Sequence, residues 1–434
     1  MQVSTSSPDP PSWGDGAIRL PRRSGWHVID RAVRAIVAQL DDQITEEQLG
    51  AMLGVSARHL RRMFKDELGI SPDELRRRAR MRLAVGLLRT TSQTVTDVAL
   101  AAGFGSVQTF NRTFSRTLGR SPTEVRTGKP SVAAVSNTEW LEVQLPVAQP
   151  FAWSTLMRFL ESRAVPGVEL VSNDVYSRTI REGTRAGIVA IGPVTAERLR
   201  LRVHMSRWEE LIPVVLAARH LAGLDGAEAA SRRLAVDPLL AQVVRDHPGI
   251  PVPGAWARFQ LLVSAVLGER MMSPAPPAAM TRLVQRLGDP VQGFEHMGLT
   301  HLFPTAAVTA EAPLVDCGLT ADQADDLRRM ARDCAAREQS GVDSQDSVIA
   351  EPPPSLGRVG AQYVALRSGN GDAFPWNEPN LRRRIEEVWG GPLSGFQVSE
   401  LGARWSPWRA YATAVLALSA KPSAPDGTAP RPPR

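Results

Sequence analysis

Residues 56–76, SARHLRRMFKDELGISPDELR, and residues 106–126, SVQTFNRTFSRTLGRSPTEVR, are two copies of one pattern set fifty residues apart. Leu60 aligns with Phe110, Phe64 with Phe114, Leu68 with Leu118, Gly69 with Gly119, and Ser71-Pro72 with Ser121-Pro122. Self-similarity at a fixed offset marks a repeated supersecondary unit, which limits the front of the chain to a helical tandem. Each copy follows a short apolar-periodic stretch and a glycine turn, EEQLGAMLGVS at 46–56 and TDVALAAGFGS at 96–106. Gly54 and Gly103 can supply the positive φ of a helix-to-helix turn. Ser56 and Ser106 are placed to cap the helix that follows. Each unit reads as helix-turn-helix, and ELRRRARMRLAVGLLR (74–89) reads as the helix joining them.

In each second helix the apolar residues recur at i, i+4 and turn inward. The opposite face carries Arg58, His59, Arg61, Arg62 and Lys65 in the first copy, and Gln108, Thr109, Asn111, Arg112 and Arg116 in the second. Guanidinium groups suit phosphate or guanine, and amides suit adenine, in a major groove. Charge agrees. Residues 1–130 hold 20 Lys/Arg against 13 Asp/Glu, which accounts for the whole excess in a net charge of +6. A basic front end points to an acidic partner, nucleic acid first. Residues 42–126 resemble the AraC-type DNA-binding domain, with VTDVALAAGFGSVQTFNRTFSRTLGRSP close to its second half. The resemblance implies double-stranded DNA as partner, contacted through Ser56, Arg58, Arg61, Arg62, Ser106, Gln108, Asn111 and Arg112. RNA polymerase is a further possible partner of such a regulator.

The chain of 434 residues is too long for one ordinary core. No apolar run reaches spanning length and the N-terminus has no apolar signal core, so no membrane partner and a cytoplasmic, nucleoid-associated location are expected. Cys317 and Cys334 make neither a disulfide framework nor a four-ligand zinc site. His204, His220 and His301 show no metal spacing. Small and polar residues at 126–140 read as a linker. Beyond it LEVQL (141–145), VYSRTIR (175–181), GIVAIGP (187–193) and RLRLRVH (198–204) alternate as strands do, with an amphipathic helix at 151–164. Helical patterns return at 253–268, 276–288, 320–336, 359–369 and 407–420. The expected fold is multidomain and mainly α. It comprises a disordered tail (1–27), an all-α double helix-turn-helix (28–128), a linker (129–139), a small α+β, TBP-like layer (140–222), an all-α helix-hairpin-helix domain (223–420) and a disordered tail (421–434).

The rear half also resembles a known family. LPVAQPFAWSTLMRFLESRAVP (144–165), DPLLAQVVRDHPGIPVPGAWARFQLLVSAVLG (237–268), GLTHLFPT (298–305), AQYVALR (361–367), DAF (372–374) and RWSPWRAYA (404–412) are similar, in order, to 3-methyladenine DNA glycosylase II of the AlkA type. Some members carry an Ada-type methyl-acceptor module and AraC-type helices in front. The Ada-type module needs cysteine-ligated zinc, and no cysteine precedes Cys317, so methyl transfer to sulfur is not expected.

The resemblance implies base flipping and cleavage of the N-glycosidic bond of alkylated purines, in a DNA repair enzyme joined to transcriptional control. The other reading is a regulator whose glycosylase half binds DNA or adducts without cutting. The hairpin corresponds to PPSLGRVGAQYVALR (353–367), with backbone contacts from Leu356, Gly357 and Gly360; Ser355 stands at its first glycine position, which puts a hairpin-bound alkali cation in doubt. No other cofactor is expected. Arg270, in Gly-Glu-Arg-Met-Met-Ser (268–273), stands at the position wedged into the gap. Glu378 stands at the position of the catalytic aspartate, with Pro379 opening a helix behind it. Trp376 is a candidate for the base pocket. Glu378 has two possible duties, as a charge at a helix start or as a carboxylate aimed at the sugar. Asp372 matches a structural position.

Overall fold

In the computed structural model, residues 25–127 (except 39 and 41–43), 140–272 (except 184), 278–339 and 356–420 are described. The expected tails at 1–24 and 421–434, the linker at 129–139, Ser273 and Ser355 lie outside them.

The front consists of α1 (Trp26–Ala38), α2 (Glu46–Leu53), α3 (Ala57–Leu68), α4 (Pro72–Thr90), α5 (Val95–Ala101), α6 (Val107–Leu118) and α7 (Pro122–Thr127). The repeat forms as its residues dictate. The Ser56 hydroxyl accepts the His59 N–H and the Ser106 hydroxyl accepts the Thr109 N–H, while Gly69 and Gly119 end the helices in the left-handed region. Gly103 is irreplaceable on two counts: φ is +76°, and a Cβ would lie 2.2 Å from the Leu40 carbonyl oxygen. One boundary needs correction. The sequence reading left 1–27 as tail, but α1 begins at Trp26, whose side chain is buried in the core. An indole placed beside a polar leader has no periodicity to announce it.

Next comes a five-stranded antiparallel sheet: β1 (Leu141–Pro146), β2 (Glu169–Ser172), β3 (Val175–Glu182), β4 (Arg185–Thr195) and β5 (Arg198–His204), in the order β1-β5-β4-β3-β2. Helix α8 (Trp153–Glu161) packs on β2 and β3. The expected strands are present. The short edge strand β2, too brief to alternate, was missed.

The rear is helical: α9 (Leu211–Ala222), α10 (Ala227–Leu234), α11 (Ala241–Asp246), α12 (Arg258–Val266), α13 (Ala278–Leu287), α14 (Ala306–Glu311), α15 (Ala321–Gln339), α16 (Gly357–Arg367), α17 (Pro379–Trp389), α18 (Gly395–Trp405) and α19 (Arg409–Ser419). The sheet is tied to it by the Thr179 hydroxyl donating to the His301 carbonyl (2.8 Å) and by Arg181 pairing with Asp289 (2.6 Å).

The first repeat shares one core with the sheet and the rear. Leu60, Phe64 and Leu68 of α3 belong to the same buried cluster as Leu141, Val143 and Leu145 of β1 and Leu211 and Val215 of α9. Arg78 donates to the Glu142 carbonyl (2.8 Å), and the Arg219 guanidinium lies 5.6 Å from the centre of the Trp26 ring. The second repeat has a separate core, built from Phe104, Phe110, Phe114 and Val125 against Met81, Ala84 and Leu88 of α4. Helix α4 spans both.

Candidate active site

Proline at the first position of α17 fixes the start of that helix and sets Glu378 at its N-cap. A carboxylate at an N-cap ordinarily accepts the helix's own amides. Glu378 does not: its side chain makes no capping bond. It is only 3% exposed, and its carboxyl group turns to a different segment, where the Met272 N–H bonds to it. Oε2 is buried without a hydrogen-bond partner. Burial pushes the carboxyl group up to about 7, against the opposing pull of the Arg270 and Arg163 guanidiniums and the Met272 N–H. A dipole partner for α17 would sit near its amides in water. This carboxyl group is buried and makes no bond to those amides, so it does not serve as their cap.

The segment that holds it is itself held. Arg163, just past α8, donates from Nη2 to the carbonyls of Arg270 (3.2 Å) and Met271 (2.7 Å), and its Nε lies 3.5 Å from Glu269. Glu269 Oε1 accepts the Tyr363 hydroxyl at 2.5 Å and lies 3.7 Å from Arg367. Arg367 Nη1 donates to the Tyr363 oxygen (2.8 Å) and Nη2 to the Gly254 carbonyl (2.8 Å). Burial raises the Tyr363 hydroxyl well above its ordinary range and lowers Arg163. Arg163, Glu269 and Arg367 line a cavity of about 40 Å³ together with Phe159, Trp256 and Gln260. It has room for a water or two but not for a purine.

Sequence reasoning missed Arg163, Glu269 and Arg367. A signal existed for the last two: each is a charge closing an apolar helix, in AVLGE and in YVALR.

Arg270 was expected to point outward as the wedge. It folds back: Nη1 donates to the carbonyls of Ala265 (3.0 Å) and Glu269 (2.6 Å), and a Cβ on Gly360 would stand 3.1 Å from Nη2. The Ala265 carbonyl near the end of α12 also accepts the Gly268 N–H (3.1 Å), so the guanidinium is a further donor to it. Trp376 also differs from expectation. It packs against Gly395 at the start of α18, with the Arg382 guanidinium 5.8 Å from its ring centre, so it forms part of a wall between helices. Asp372 is committed to structure, receiving Arg409 Nε (2.6 Å) and Nη2 (2.5 Å) and the Ser406 hydroxyl (3.1 Å). In the hairpin, Leu356 is buried and Gly357 has φ +55° with open space where a Cβ would be, which leaves its backbone open to a close approach. Gly360 is covered by Arg270 and Leu356. The cation expectation turns on Ser355, outside the described residues.

On the front module, Gln108, Asn111 and Arg112 of α6 are exposed and make no side-chain hydrogen bond or ion pair among the described residues. The first copy is more occupied. Arg61 pairs with the buried Glu46, Arg62 Nη2 lies 3.0 Å from His59 Nδ1, and Lys65 donates to the Gly69 carbonyl (3.0 Å). Arg58 is exposed. The hydroxyls of Ser56 and Ser106 are engaged in capping.

Residues 49–128 match the family model of a helix-turn-helix domain, and residues 142–257 match that of the AlkA N-terminal domain. A protein of Mycobacterium tuberculosis named probable bifunctional transcriptional activator/DNA repair enzyme AlkA is 31% identical over 399 residues, covering 90% of this chain and 79% of the relative. The chain belongs to the bifunctional AlkA family. DNA-3-methyladenine glycosylase 2 of Escherichia coli is 29% identical over 276 residues, covering 61% of this chain and 92% of that AlkA protein. The 3-methyladenine DNA-glycosylase of Archaeoglobus fulgidus superposes with a TM-score of 0.54 at 19% identity, over 63% of this chain and 97% of its own. That similarity shows the AlkA fold for the rear half. The protein is thus an AraC-type helix-turn-helix fused to an AlkA-like glycosylase module.

Proposed function

We propose that the rear half excises damaged, alkylation-derived purines from duplex DNA with Glu378 as its catalytic carboxylate, and that the front half binds promoter DNA and engages RNA polymerase. The observation that carries this reading is the Glu378 carboxyl group, which is buried, declines the cap of its own helix, and keeps one oxygen without a partner. A buried carboxyl group that takes its hydrogen bond from Met272 and none from its own helix is placed for something other than capping. A carboxylate of this kind stabilises oxocarbenium charge as the glycosidic bond lengthens and takes a proton from the attacking water. The names of the relatives agree with the reaction class.

A second reading rests on Glu378 itself, a glutamate one methylene longer than the aspartate the resemblance places there: the rear half binds duplex or adduct without cutting. Incubating the full chain with methylated duplex and scoring alkali-labile abasic sites separates the two. Excision above the protein-free rate supports the enzyme, and background cleavage with intact binding supports the second reading.

For the front module, Asn111→Ala is expected to relax sequence preference, because an amide bonded in two places to adenine carries about 1–3 kcal/mol of discrimination. Arg62→Ala is expected to weaken binding to all sequences alike and to flatten the salt dependence. Titrations of specific and scrambled duplexes at several salt concentrations check both. Equal losses on every sequence for Asn111→Ala would count against base reading.

A further inference from the structure

Strand β5 carries a second basic surface, on the outer face of the sheet. Leu199, Leu201 and Val203 are buried in the core, so Arg198, Arg200 and Arg202 stand in a row on the other side. Across the row β1 offers Pro146, Gln144 and Glu142, and β4 offers Thr195, Gly192 and Ala190. One carboxylate on these strands therefore faces three guanidiniums, with Glu197 exposed in the turn ahead of them. Glu142 pairs with Arg200 at 3.1 Å, but 38% of its side chain and 45% of the arginine's remain exposed, and an ion pair in water holds weakly. Arg198 makes no hydrogen bond or ion pair among the described residues. The Arg202 guanidinium lies 4.8 Å from the centre of the Trp140 ring. Phe294 and Leu299 close the face at its other end, over Ile188.

The row continues the DNA face of the first repeat. Lys65 of α3 donates to the Gly69 carbonyl (3.0 Å), and Gly69 lies so close to β1 that a Cβ on it would stand 2.8 Å from Gln144 Cβ. Gln144 is the register partner of Arg200, and Glu142, whose carbonyl accepts Arg78, is that of Arg202. The basic side chains of α3 and α4 thus pass to those of β5 across one edge strand. Helix α3 and β1 share a core, so the spacing of the two surfaces is set before DNA arrives. Alternate residues of a strand recur about every 6.7 Å, so the row spans about 13 Å. Over about that length one strand of a duplex presents roughly four phosphates. We propose that the outer face of β5 is a phosphate-binding surface, on which Arg198, Arg200 and Arg202 hold the duplex flanking the stretch engaged by α3. Contacts of this kind fix register and add affinity without reading bases. The proposal rests on duplex binding by the front module and is independent of excision.

The test uses the full-length protein and a duplex that it selects from a random-sequence pool. Hydroxyl-radical footprinting is expected to show about two helical turns protected by the two repeats. Beyond them, on one flank only, roughly four further phosphates of one strand should be protected. Replacing the three arginines together (Arg198→Ala, Arg200→Ala and Arg202→Ala) is expected to erase the flank and keep the rest of the footprint. The same variant should bind about tenfold or more weakly at low salt and lower the slope of log affinity against log salt by about 2 to 3. Arg198→Lys, Arg200→Lys and Arg202→Lys together should retain most of the flank and the slope, because a phosphate also accepts a point charge. Trimming the flank from the duplex is expected to weaken the wild type to the level of the alanine variant and to leave that variant unchanged. An alanine variant with the wild-type footprint and slope overturns the proposal and leaves the row to an acidic protein. Equal losses in the alanine and lysine variants overturn it too, since that pattern marks a structural role.

Discussion

Glu378→Gln is expected to lower base excision by two to three orders of magnitude, leave duplex binding unchanged, and stabilise the protein above neutral pH. The rate effect follows from removing the one negative charge positioned to meet the oxocarbenium ion in a water-poor site, where preorganised charges act most strongly. The stability effect follows from proton linkage. The folded carboxyl group is raised from its usual 4.5 to about 7 by burial. Between those values the folded protein keeps a proton that the unfolded chain has released. The stability from this group is therefore full below about pH 4.5 and is lost as pH rises through 7. Glutamine carries no charge to bury. Thermal unfolding of the two proteins should nearly coincide at pH 5. At pH 8 the variant should be the more stable, by up to about 3 kcal/mol, the linkage value of a shift this large. A difference that stays flat with pH would show that Glu378 is not held as described, and retained excision would remove it from the chemistry.

Glu269→Ala carries the largest expected loss of stability. Glu269 is 5% exposed and lies between two buried guanidiniums, 3.5 Å from Arg163 and 3.7 Å from Arg367. Removing it leaves two buried guanidiniums facing each other and a tyrosine hydroxyl without its acceptor. Breaking one side of a buried ion pair costs about 3–5 kcal/mol. Glu269→Gln should cost less, since its amide oxygen can still accept from Tyr363. Urea unfolding followed by tryptophan fluorescence measures both. A loss under about 1 kcal/mol for the alanine variant would mean that water replaces the carboxylate, in the cavity of about 40 Å³ next to it.

Features encoded locally were legible before the structure. Both helix-turn-helix units follow from Ser caps, left-handed glycines and an apolar spacing confined to a dozen residues. Strand β5 lies where RLRLRVH alternates. The catalytic candidate was legible by position, since Pro379 announces a helix and Glu378 precedes it. Features that depend on distant returns of the chain were not. Arg163 meets Arg270 and Met271 across more than a hundred residues. Trp376 looked like a pocket residue because a tryptophan in a short loop is conspicuous, yet the surface it covers is Gly395, supplied by the next helix. The direction of Arg270 was likewise not legible, since it is set by the Ala265 and Glu269 carbonyls to which the side chain turns back.

The join between the first repeat and the sheet has a consequence for anyone dissecting this molecule. The stretch at 128–139 resembles the place to cut, but the structural unit does not divide there. Separated at that point, the N-terminal fragment would carry α3 with its oily underside uncovered, and the C-terminal fragment would lose the cover over β1. Helices α5–α7, which close on their own aromatic cluster, are the part more nearly able to go its own way. Evolution has welded half of a DNA reader to the repair body and left the other half as an appendage, so fragments cut by motif would split a unit that folds as one.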